Sequence, residues 1–266
     1  MPLLGRGKRE NFGDLLSKYI VESISGTRAV YTHPKQIRWY EFNRKVYFAS
    51  GSILHMATRK TIVWGSGMIQ KTDRIRKAAF LAVRGPVTRN LLLKQGHDVP
   101  EVYGDPAILM RDIYFPETIK KYHLGIIPHF VDYRAVEEWY KSEDGVVVID
   151  LLNNEVKPVL DQILSCRLIV TSSLHGLIVA HTYGIPAVWV QFSDKLYGDN
   201  MKFEDYMTSV GMNYYNPEYV GEKLEPGELE NRICSTESLP DETVLLQIRK
   251  GLLDVCPFYL NRIEYK

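Results

Sequence analysis

The chain has 266 residues, of which 45% are hydrophobic, enough for one large α/β unit or two modest domains with packed cores. Its 33 basic and 32 acidic residues give a formal net charge of +1, which argues against a nucleic-acid-binding surface or a polybasic membrane anchor. Three cysteines without a close pair predict neither a zinc site nor a disulfide framework, and a reducing cytoplasm fits best. No apolar run reaches transmembrane length and the opening residues lack the apolar core of a secretory signal, so we expect a protein that is not exported.

The first part of the chain alternates helical patterns with short apolar runs. Apolar residues at helical spacing predict a helix over Leu15–Ile24, capped by Asp14 and ended by Gly26. A second helix is predicted from Pro86 to Lys94, because proline favours the first helical position. The predicted strands of this part are Val46–Ala49, Ile62–Trp64, Phe80–Val83 and Glu101–Tyr103.

A second alternating series follows Phe115–Tyr122, where proline and charged residues interrupt the apolar pattern. We therefore predict an α/β protein of two Rossmann-like domains, residues 1–118 and residues 119–266. No element is predicted in the aromatic and polar stretch Phe192–Glu228. The predicted elements of this part are strands at Leu124–Ile127, Val146–Ile149 and Arg167–Val170, and helices over Tyr133–Lys141, Val156–Leu164 and Asp241–Asp254.

The most informative segment is Ile169–Val190, which reads as a strand, a polar turn, a helix and a second strand. The hydroxyl residues Thr171–Ser173 can cap the helix. Ligands bind beyond the carboxyl ends of parallel strands, and a helix amino terminus there attracts anions, so we expect His175 beside an anion. His181 lies about 240° further round the helix and is interpreted as a packing residue.

Six short motifs, this segment among them, resemble those of the polysaccharide pyruvyl transferase family and occur in the family's order across most of the chain. Many family members carry arginine immediately before the Leu-His pair, where this chain has Ser173, a variant that we associate with the branch acting in bacterial exopolysaccharide synthesis. The motifs are Asn11–Asp14, Gly65–Gly67, Val83–Arg89, Gly104–Ala107, Ile127–Asp132 and Ser172–Gly176, the last leading to Gly184–Pro186.

The resemblance implies two Rossmann-like domains facing a cleft, as in glycosyltransferases of the B fold, with the acceptor on the N-terminal side and phosphoenolpyruvate on the C-terminal side. It implies transfer of the enolpyruvyl group onto two hydroxyls of a sugar, forming a pyruvate ketal in exopolysaccharide or capsule biosynthesis. Phosphoenolpyruvate would be a co-substrate, with no cofactor and no metal ion. The acceptor would be a lipid-linked saccharide at the cytoplasmic face of the membrane, with at most peripheral membrane association and no nucleic-acid partner.

That chemistry assigns roles to particular side chains. A positioned acid or base must move protons during the transfer, and His175 is the candidate. The phosphate and carboxylate of the donor call for cations and hydroxyl or amide donors. The donor-binding candidates are Arg84, Arg89, His129, Ser172 and Ser173. Asn11 and Asp14 are expected to hold acceptor hydroxyls from across the cleft.

Each assignment has a structural alternative. His175 and His129 could hydrogen-bond neighbouring loops, the arginines could pair with carboxylates, and Ser172, Ser173 and Asp14 could serve as helix caps. A nucleotide-sugar glycosyltransferase and a catalytically inactive saccharide-binding relative remain as alternative functions. A dinucleotide dehydrogenase and a serine hydrolase fit poorly, because the third fingerprint glycine and a Gly-x-Ser-x-Gly elbow are both missing from the sequence.

Overall fold

A computed structural model describes residues 10–37, 40–41, 44–195 and 198–258. Short 3₁₀ turns lie at Pro34–Gln36, Leu54–Met56 and Pro106–Leu109. The strands are β1 (Glu10–Asn11), β2 (Val46–Phe48), β3 (Thr61–Trp64), β4 (Ala79–Ala82), β5 (Tyr122–Ile127), β6 (Val146–Val148), β7 (Leu152–Asn153), β8 (Cys166–Thr171), β9 (Ala187–Gln191) and β10 (Glu218–Tyr219). The helices are α1 (Phe12–Ser25), α2 (Pro86–Lys94), α3 (Met110–Ile113), α4 (Tyr133–Tyr140), α5 (Val156–Leu164), α6 (Leu174–Thr182), α7 (Met201–Ser209), α8 (Pro226–Ser235) and α9 (Glu242–Asp254).

The described residues group into two units by their contacts. Unit 1 contains the chain up to Leu16 together with residues 114–195 and 212–240, and unit 2 contains residues 17–113, 198–211 and those from Asp241 onward. The predicted division into 1–118 and 119–266 falls close to the 113/114 boundary. Residues 10–16 fall in the predicted first domain but belong to unit 1, whereas residues 198–211 and 241–258 fall in the predicted second domain but belong to unit 2. These segments pack on elements that are distant in sequence.

Unit 1 is built on a parallel sheet with the strand order β10-β9-β8-β5-β6. Two of its three inner strands, β5 and β8, are mostly apolar where they pair, as expected of a parallel strand covered on both faces. Helices α4, α5, α6 and α8 pack on the strands, and β1 pairs antiparallel with β7. The core of this unit includes Leu124, Ile126, Val136, Val170, Val188, Phe192, Leu229 and Ile233.

Unit 2 contains the parallel sheet β2-β3-β4 and the helices α2, α7 and α9. Helix α9 is tied to the sheet by the indole of Trp64, whose Nε1–H donates to the carbonyl oxygen of Leu252 at 2.9 Å. The core of this unit includes Val46, Phe48, Leu54, Val63, Met68, Phe80, Val83, Leu92 and Met201.

The α/β prediction is confirmed in its general form: the molecule is a mixed α/β protein with parallel sheets, compatible with Rossmann-like units. The bounds predicted for α2 and α5 match the structure. The cleft arrangement of glycosyltransferase B stays a prediction. Among the described helices, none combines the length and the apolar character that crossing a bilayer requires.

Two local predictions were wrong, and one stretch that was left without a prediction contains regular elements. The strand expected at Glu101–Tyr103 is reduced to one bridge between Tyr103 and Val83, since Gly104 turns the chain at φ 132°. Helix α1 begins at Phe12, so Asp14 lies inside its first turn and does not cap it. The stretch without predicted elements holds α7, β10 and the start of α8.

Candidate functional site

Three of the six motifs meet in unit 1, at the carboxyl ends of β5 and β8. The hydroxyl of Thr171 donates to the carbonyl oxygen of Ile127 at 2.8 Å, and the amide of Ser172 donates to the same carbonyl at 3.1 Å. The hydroxyl of Ser172 in turn accepts from the amide of His129 at 2.8 Å. These hydrogen bonds connect the motif Ile127–Asp132 with the residues that begin the Ser172–Gly176 motif. They lie at the carboxyl ends of the strands, where open parallel sheets bind ligands.

The start of α6 is fixed directly against this edge. The side chain of Ser173 accepts from the amide of Gly176 at 3.4 Å and so caps the helix. A Cβ on Gly176 would lie 2.6 Å from the Thr171 hydroxyl oxygen, so only glycine permits this approach of helix to strand. His175, the second residue of α6, is consequently held half-buried at the strand ends.

The third motif places the start of α1 on the same unit. The carboxamide oxygen of Asn11 accepts from the amide of Gly13 at 2.9 Å, which makes Asn11 the side chain that caps α1. The amide of Phe12 donates to the carbonyl of Leu151 at 2.8 Å, and the pairing of β1 with β7 extends this attachment. The amino end of α1 is therefore anchored to the segment that follows β6.

Gly13 lies in contact with the imidazole of His175. A Cβ built on Gly13 would fall 2.2 Å from Nδ1 and 2.5 Å from Cε1 of that ring. The Asn-x-Gly-Asp motif thus belongs to the same site as His175. This role of Gly13 is not predictable from the sequence, because no local pattern reveals which ring a glycine will face.

Asp14 follows Gly13 in the first turn of α1. The residue is exposed as a whole, but the protein packed around its carboxyl group reduces hydration and raises the pKa of Asp14 to about 6, and the charge of Glu10 acts in the same direction. A carboxyl group with this pKa exchanges protons close to neutral pH. Asp14 therefore offers acid-base chemistry in addition to the hydrogen bonding that the sequence predicts.

His129 and Asp132 lie in the loop between β5 and α4. His129 is half-buried, and its ring centroid is 4.3 Å from that of Phe130. Asp132 is buried, and one of its carboxyl oxygens accepts from the hydroxyl of Ser193 at 2.5 Å, which ties the ends of β5 and β9 together. The other oxygen has no hydrogen-bond partner among the described residues.

Arg84, predicted to face a bound anion, is fully buried in unit 2. Its Nε donates to Asp205 at 3.0 Å, and its terminal nitrogens donate to the Ser52 hydroxyl at 2.6 Å and the Met68 carbonyl at 2.8 Å. Asp205 also accepts from the amide and hydroxyl of Thr88, at 2.8 and 2.6 Å. These contacts match the structural alternative, in which the arginine pairs with a carboxylate. Donor binding by Arg84 stays a prediction.

The two glycine motifs of unit 2 pack on each other. Gly65 has φ 99°, and a Cβ there would lie 2.4 Å from Cδ of Pro106 and 2.6 Å from the carbonyl oxygen of Gly104. Asp105 caps the short turn that follows and accepts from the Ser50 hydroxyl at 2.7 Å. In unit 2 the family motifs therefore form a structural framework.

Two further cations lie in unit 2. Arg89 is half-exposed and donates through Nε to the carbonyl of Val99 at 3.1 Å. Lys202, which no sequence motif indicated, makes no hydrogen bond or ion pair with any described residue, and burial and the charge of Arg84 lower its pKa to about 8. Unit 1 thus holds Asn11, Asp14, His129, Ser172, Ser173 and His175, whereas unit 2 holds Arg84, Arg89 and Lys202.

Comparison with known proteins supplies the remaining finding. Residues 11–194 match the family model for polysaccharide pyruvyl transferase, which covers all six motifs. The chain is 34% identical over 213 residues to an uncharacterized protein of Acanthamoeba polyphaga mimivirus, covering 77% of this chain and 72% of that protein. It is 25% identical over 222 residues to the succinoglycan biosynthesis protein ExoV of Rhizobium meliloti, covering 80% of this chain and 66% of that protein. No solved structure matches significantly.

Proposed function

Because the chain belongs to the polysaccharide pyruvyl transferase family, we propose that it transfers the pyruvyl group of phosphoenolpyruvate to two hydroxyls of a saccharide, forming a ketal. The observation that carries the proposal is the meeting of three family motifs around His175 at one sheet edge of unit 1. The similarity to a succinoglycan biosynthesis protein supports an acceptor from an exopolysaccharide pathway.

The proposed reaction needs two proton transfers and one leaving group. Protonation of the methylene carbon makes the central carbon of phosphoenolpyruvate electrophilic, and one sugar hydroxyl adds to it while losing its proton. The second hydroxyl adds as the carbon–oxygen bond to phosphate breaks. One hydroxyl proton ends on the new methyl group and the other leaves with phosphate, so the reaction balances without a redox partner.

His175 is the group that we assign to these proton transfers. It lies in the first turn of α6, and the dipole at the amino end of a helix favours an anion, so the phosphate of the donor can lie beside the imidazole. Ser172, Ser173 and His129 surround the same turn and are assigned to the donor phosphate. A histidine in this position can protonate the donor or the leaving group, a contribution worth about 10²–10⁴-fold in rate.

Asn11 and Asp14 are assigned to the acceptor. The raised pKa of Asp14 supports a second role as the base that receives a hydroxyl proton, since the group is partly ionised near neutral pH. We further propose that the two units form the cleft typical of glycosyltransferase B. The acceptor would be a lipid-linked saccharide reached by peripheral association with the cytoplasmic face of the membrane.

The test is calorimetric titration with phosphoenolpyruvate and, separately, with nucleotide sugars, followed by detection of phosphate release and of a new ketal methyl signal by NMR. We expect binding of phosphoenolpyruvate, and phosphate release only when an acceptor is present. Binding of a nucleotide sugar alone would indicate a glycosyltransferase. Saccharide binding without phosphoenolpyruvate binding would indicate an inactive relative.

The role of His175 is tested by His175→Ala, with His123→Ala as the matched control. His123 lies near the amino end of β5 and pairs on the surface with Glu230 at 3.1 Å, so its loss should leave turnover unchanged. We expect His175→Ala to remain folded and to lose at least about 100-fold in turnover. A folded His175→Ala variant with normal turnover would remove the assignment.

A further inference from the structure

The contact between Gly13 and His175 has a specific geometry. The smallest side-chain atom added at Gly13 would lie 2.2 Å from Nδ1 of His175, far inside van der Waals contact, and would meet three atoms of the imidazole ring within 3.0 Å. None of the three nearest atoms belongs to another residue. The space that a methyl group at Gly13 would need is therefore the space that the ring fills.

The backbone on the Gly13 side of this contact is fixed. Its amide is bound by the carboxamide of Asn11 at 2.9 Å, and the preceding amide, of Phe12, is bound by the carbonyl of Leu151 at 2.8 Å. Phe12 itself is fully buried. Moving the first turn of α1 away from the ring would break these bonds and expose this side chain.

The backbone on the His175 side is fixed as well. The next residue, Gly176, packs so closely on Thr171 and Ile127 that it has no room for a Cβ, and the cap formed by Ser173 closes the first turn of α6. With both backbones held, the imidazole ring is the part that can turn. Any atom added at Gly13 must displace the ring by rotation about its side-chain bonds.

We propose that Gly13 is a positioning residue for His175: the first turn of α1 forms the wall that fixes the imidazole, and glycine is required there so that the ring can occupy its place. The proposal rests on the assignment of His175 to catalysis. It gives the glycine of the Asn-x-Gly-Asp motif a task separate from acceptor binding. A displacement of about 1 Å of a catalytic group costs on the order of 100-fold in rate.

The first test is turnover of Gly13→Ala, with Gly227→Ala as the matched control. Gly227 lies in the first turn of α8, in the same unit, and a Cβ there meets nothing within 4 Å. We expect Gly13→Ala to lower kcat about 100-fold with a much smaller change in KM for phosphoenolpyruvate, while Gly227→Ala has normal kinetics. Normal kcat in Gly13→Ala would overturn the proposal.

A double-mutant cycle tests whether Gly13 acts through the ring. In a His175→Ala background the ring is absent, so adding Gly13→Ala should produce no further loss of rate. A further loss of 10-fold or more in the double variant would show that Gly13 acts by another route, and would also overturn the proposal.

A spectroscopic measurement separates this proposal from the proposed function. His175→Ala removes one histidine from a ¹H–¹⁵N spectrum of the ring nitrogens and thereby assigns the signal of His175. Gly13→Ala should shift that signal, and Gly227→Ala should leave it in place. If no pyruvyl transfer is found but the signal shifts, the catalytic assignment fails and the positioning stands; an unshifted signal refutes the positioning whatever the activity.

Discussion

Arg84 and Asp205 form a buried ion pair in which each member depends on the other. Both side chains are fully buried, and the carboxylate of Asp205 receives further hydrogen bonds from Thr88. Removing one member of such a pair leaves an uncompensated charge in the interior, which is more damaging than the pair is stabilising. The contacts of Arg84 therefore indicate a structural role in stabilising unit 2.

We expect Arg84→Ala to lower the free energy of unfolding by about 3–5 kcal/mol, since Asp205 would be left without its cation. Arg89→Ala is the control, because Arg89 is half-exposed and its Nε donates to a backbone carbonyl, that of Val99; its loss should change stability by less than about 1 kcal/mol. Urea unfolding followed by circular dichroism measures both. A stable Arg84→Ala variant that no longer binds phosphoenolpyruvate would instead establish Arg84 as a donor ligand.

His181, interpreted from the sequence as a packing residue, is buried between α6 and β9. Burial lowers its pKa to about 4, and its Nε2 lies 3.4 Å from the carbonyl oxygen of Ala187. The folded state therefore holds this histidine neutral, whereas the unfolded chain binds a proton with a pKa near 6.5. The folded protein consequently loses stability as the pH falls from about 6.5 toward 4, with no further loss from this group below that.

We expect the loss from His181 to reach a few kcal/mol, because each pKa unit corresponds to about 1.4 kcal/mol. Urea unfolding of the wild type and of His181→Gln at several pH values between 4 and 7 isolates the contribution of His181 to the free energy of unfolding. The glutamine variant should show a shallower dependence on pH within this window. Equal slopes for the two proteins would contradict the prediction.

At the scale of elements, α2 and α7 approach each other through a glycine. A Cβ on Gly85 would lie 1.9 Å from the backbone carbonyl oxygen of Asp205 and 2.7 Å from its side chain. The first atom belongs to the backbone, and the second belongs to a buried carboxylate that the amide of Thr88 holds in place, so the two helices would have to separate. The close approach in turn places Asp205 within reach of Arg84.

We expect Gly85→Ala to destabilise unit 2 by about 1–3 kcal/mol or more, as overpacking of a tight contact does. Gly251→Ala is the matched control in the same unit: its Cβ would make an ordinary contact at 3.7 Å, and alanine within α9 should stabilise the helix by up to about 1 kcal/mol. Thermal unfolding of the two variants should shift in opposite directions. A Gly85→Ala variant as stable as the wild type would show that the helices can separate freely.

The sequence predicted those elements whose signals are local. Pro86 and the spacing of apolar residues located α2, and the apolar runs located β5, β8 and β9. Helix α7 was not predicted, because it buries the carboxylate of Asp205 at a position where an apolar side chain would be expected. Its partner, Arg84, lies 121 positions away, so no local pattern announces the pair.

The same limit applies to the candidate site: residues with a local signal were predicted, and contacts between distant segments were not. The hydroxyl residues before a helix and His175 inside it follow from a strand-turn-helix pattern, and the structure places them as expected at a strand end. That Asn11 and Gly13 would join them could not be deduced, because the contact crosses from the start of the chain to its second half. Their roles in binding and catalysis stay predictions.

At the scale of the whole molecule, the chain completes each unit with segments from distant parts of the sequence. Residues 10–16 belong with the sheet of unit 1, and α7 and α9 belong with the sheet of unit 2. Cutting the chain once near residue 118 therefore removes parts from both units. Each unit is therefore discontinuous in sequence.

We expect fragments 1–118 and 119–266 to unfold without cooperativity when each is expressed alone, because each lacks elements that bury its core. Expressed together they should associate and recover the hydrogen-exchange protection of the intact chain in β5 and β8. Cooperative unfolding of both isolated fragments would show that the consecutive domains 1–118 and 119–266 are the independent folding units.

The bond from Trp64 to Leu252 has a consequence for synthesis on the ribosome. Strands β2, β3 and β4 are synthesised well before α9, the helix that receives the indole of Trp64, because 188 positions separate Trp64 from Leu252. At about 5–20 residues per second, the apolar strands of unit 2 wait roughly 10–40 s for α9. During that interval a nascent chain exposes its first sheet to chaperones and to other nascent chains, so slow translation should lower the yield of this protein more than its native stability would indicate.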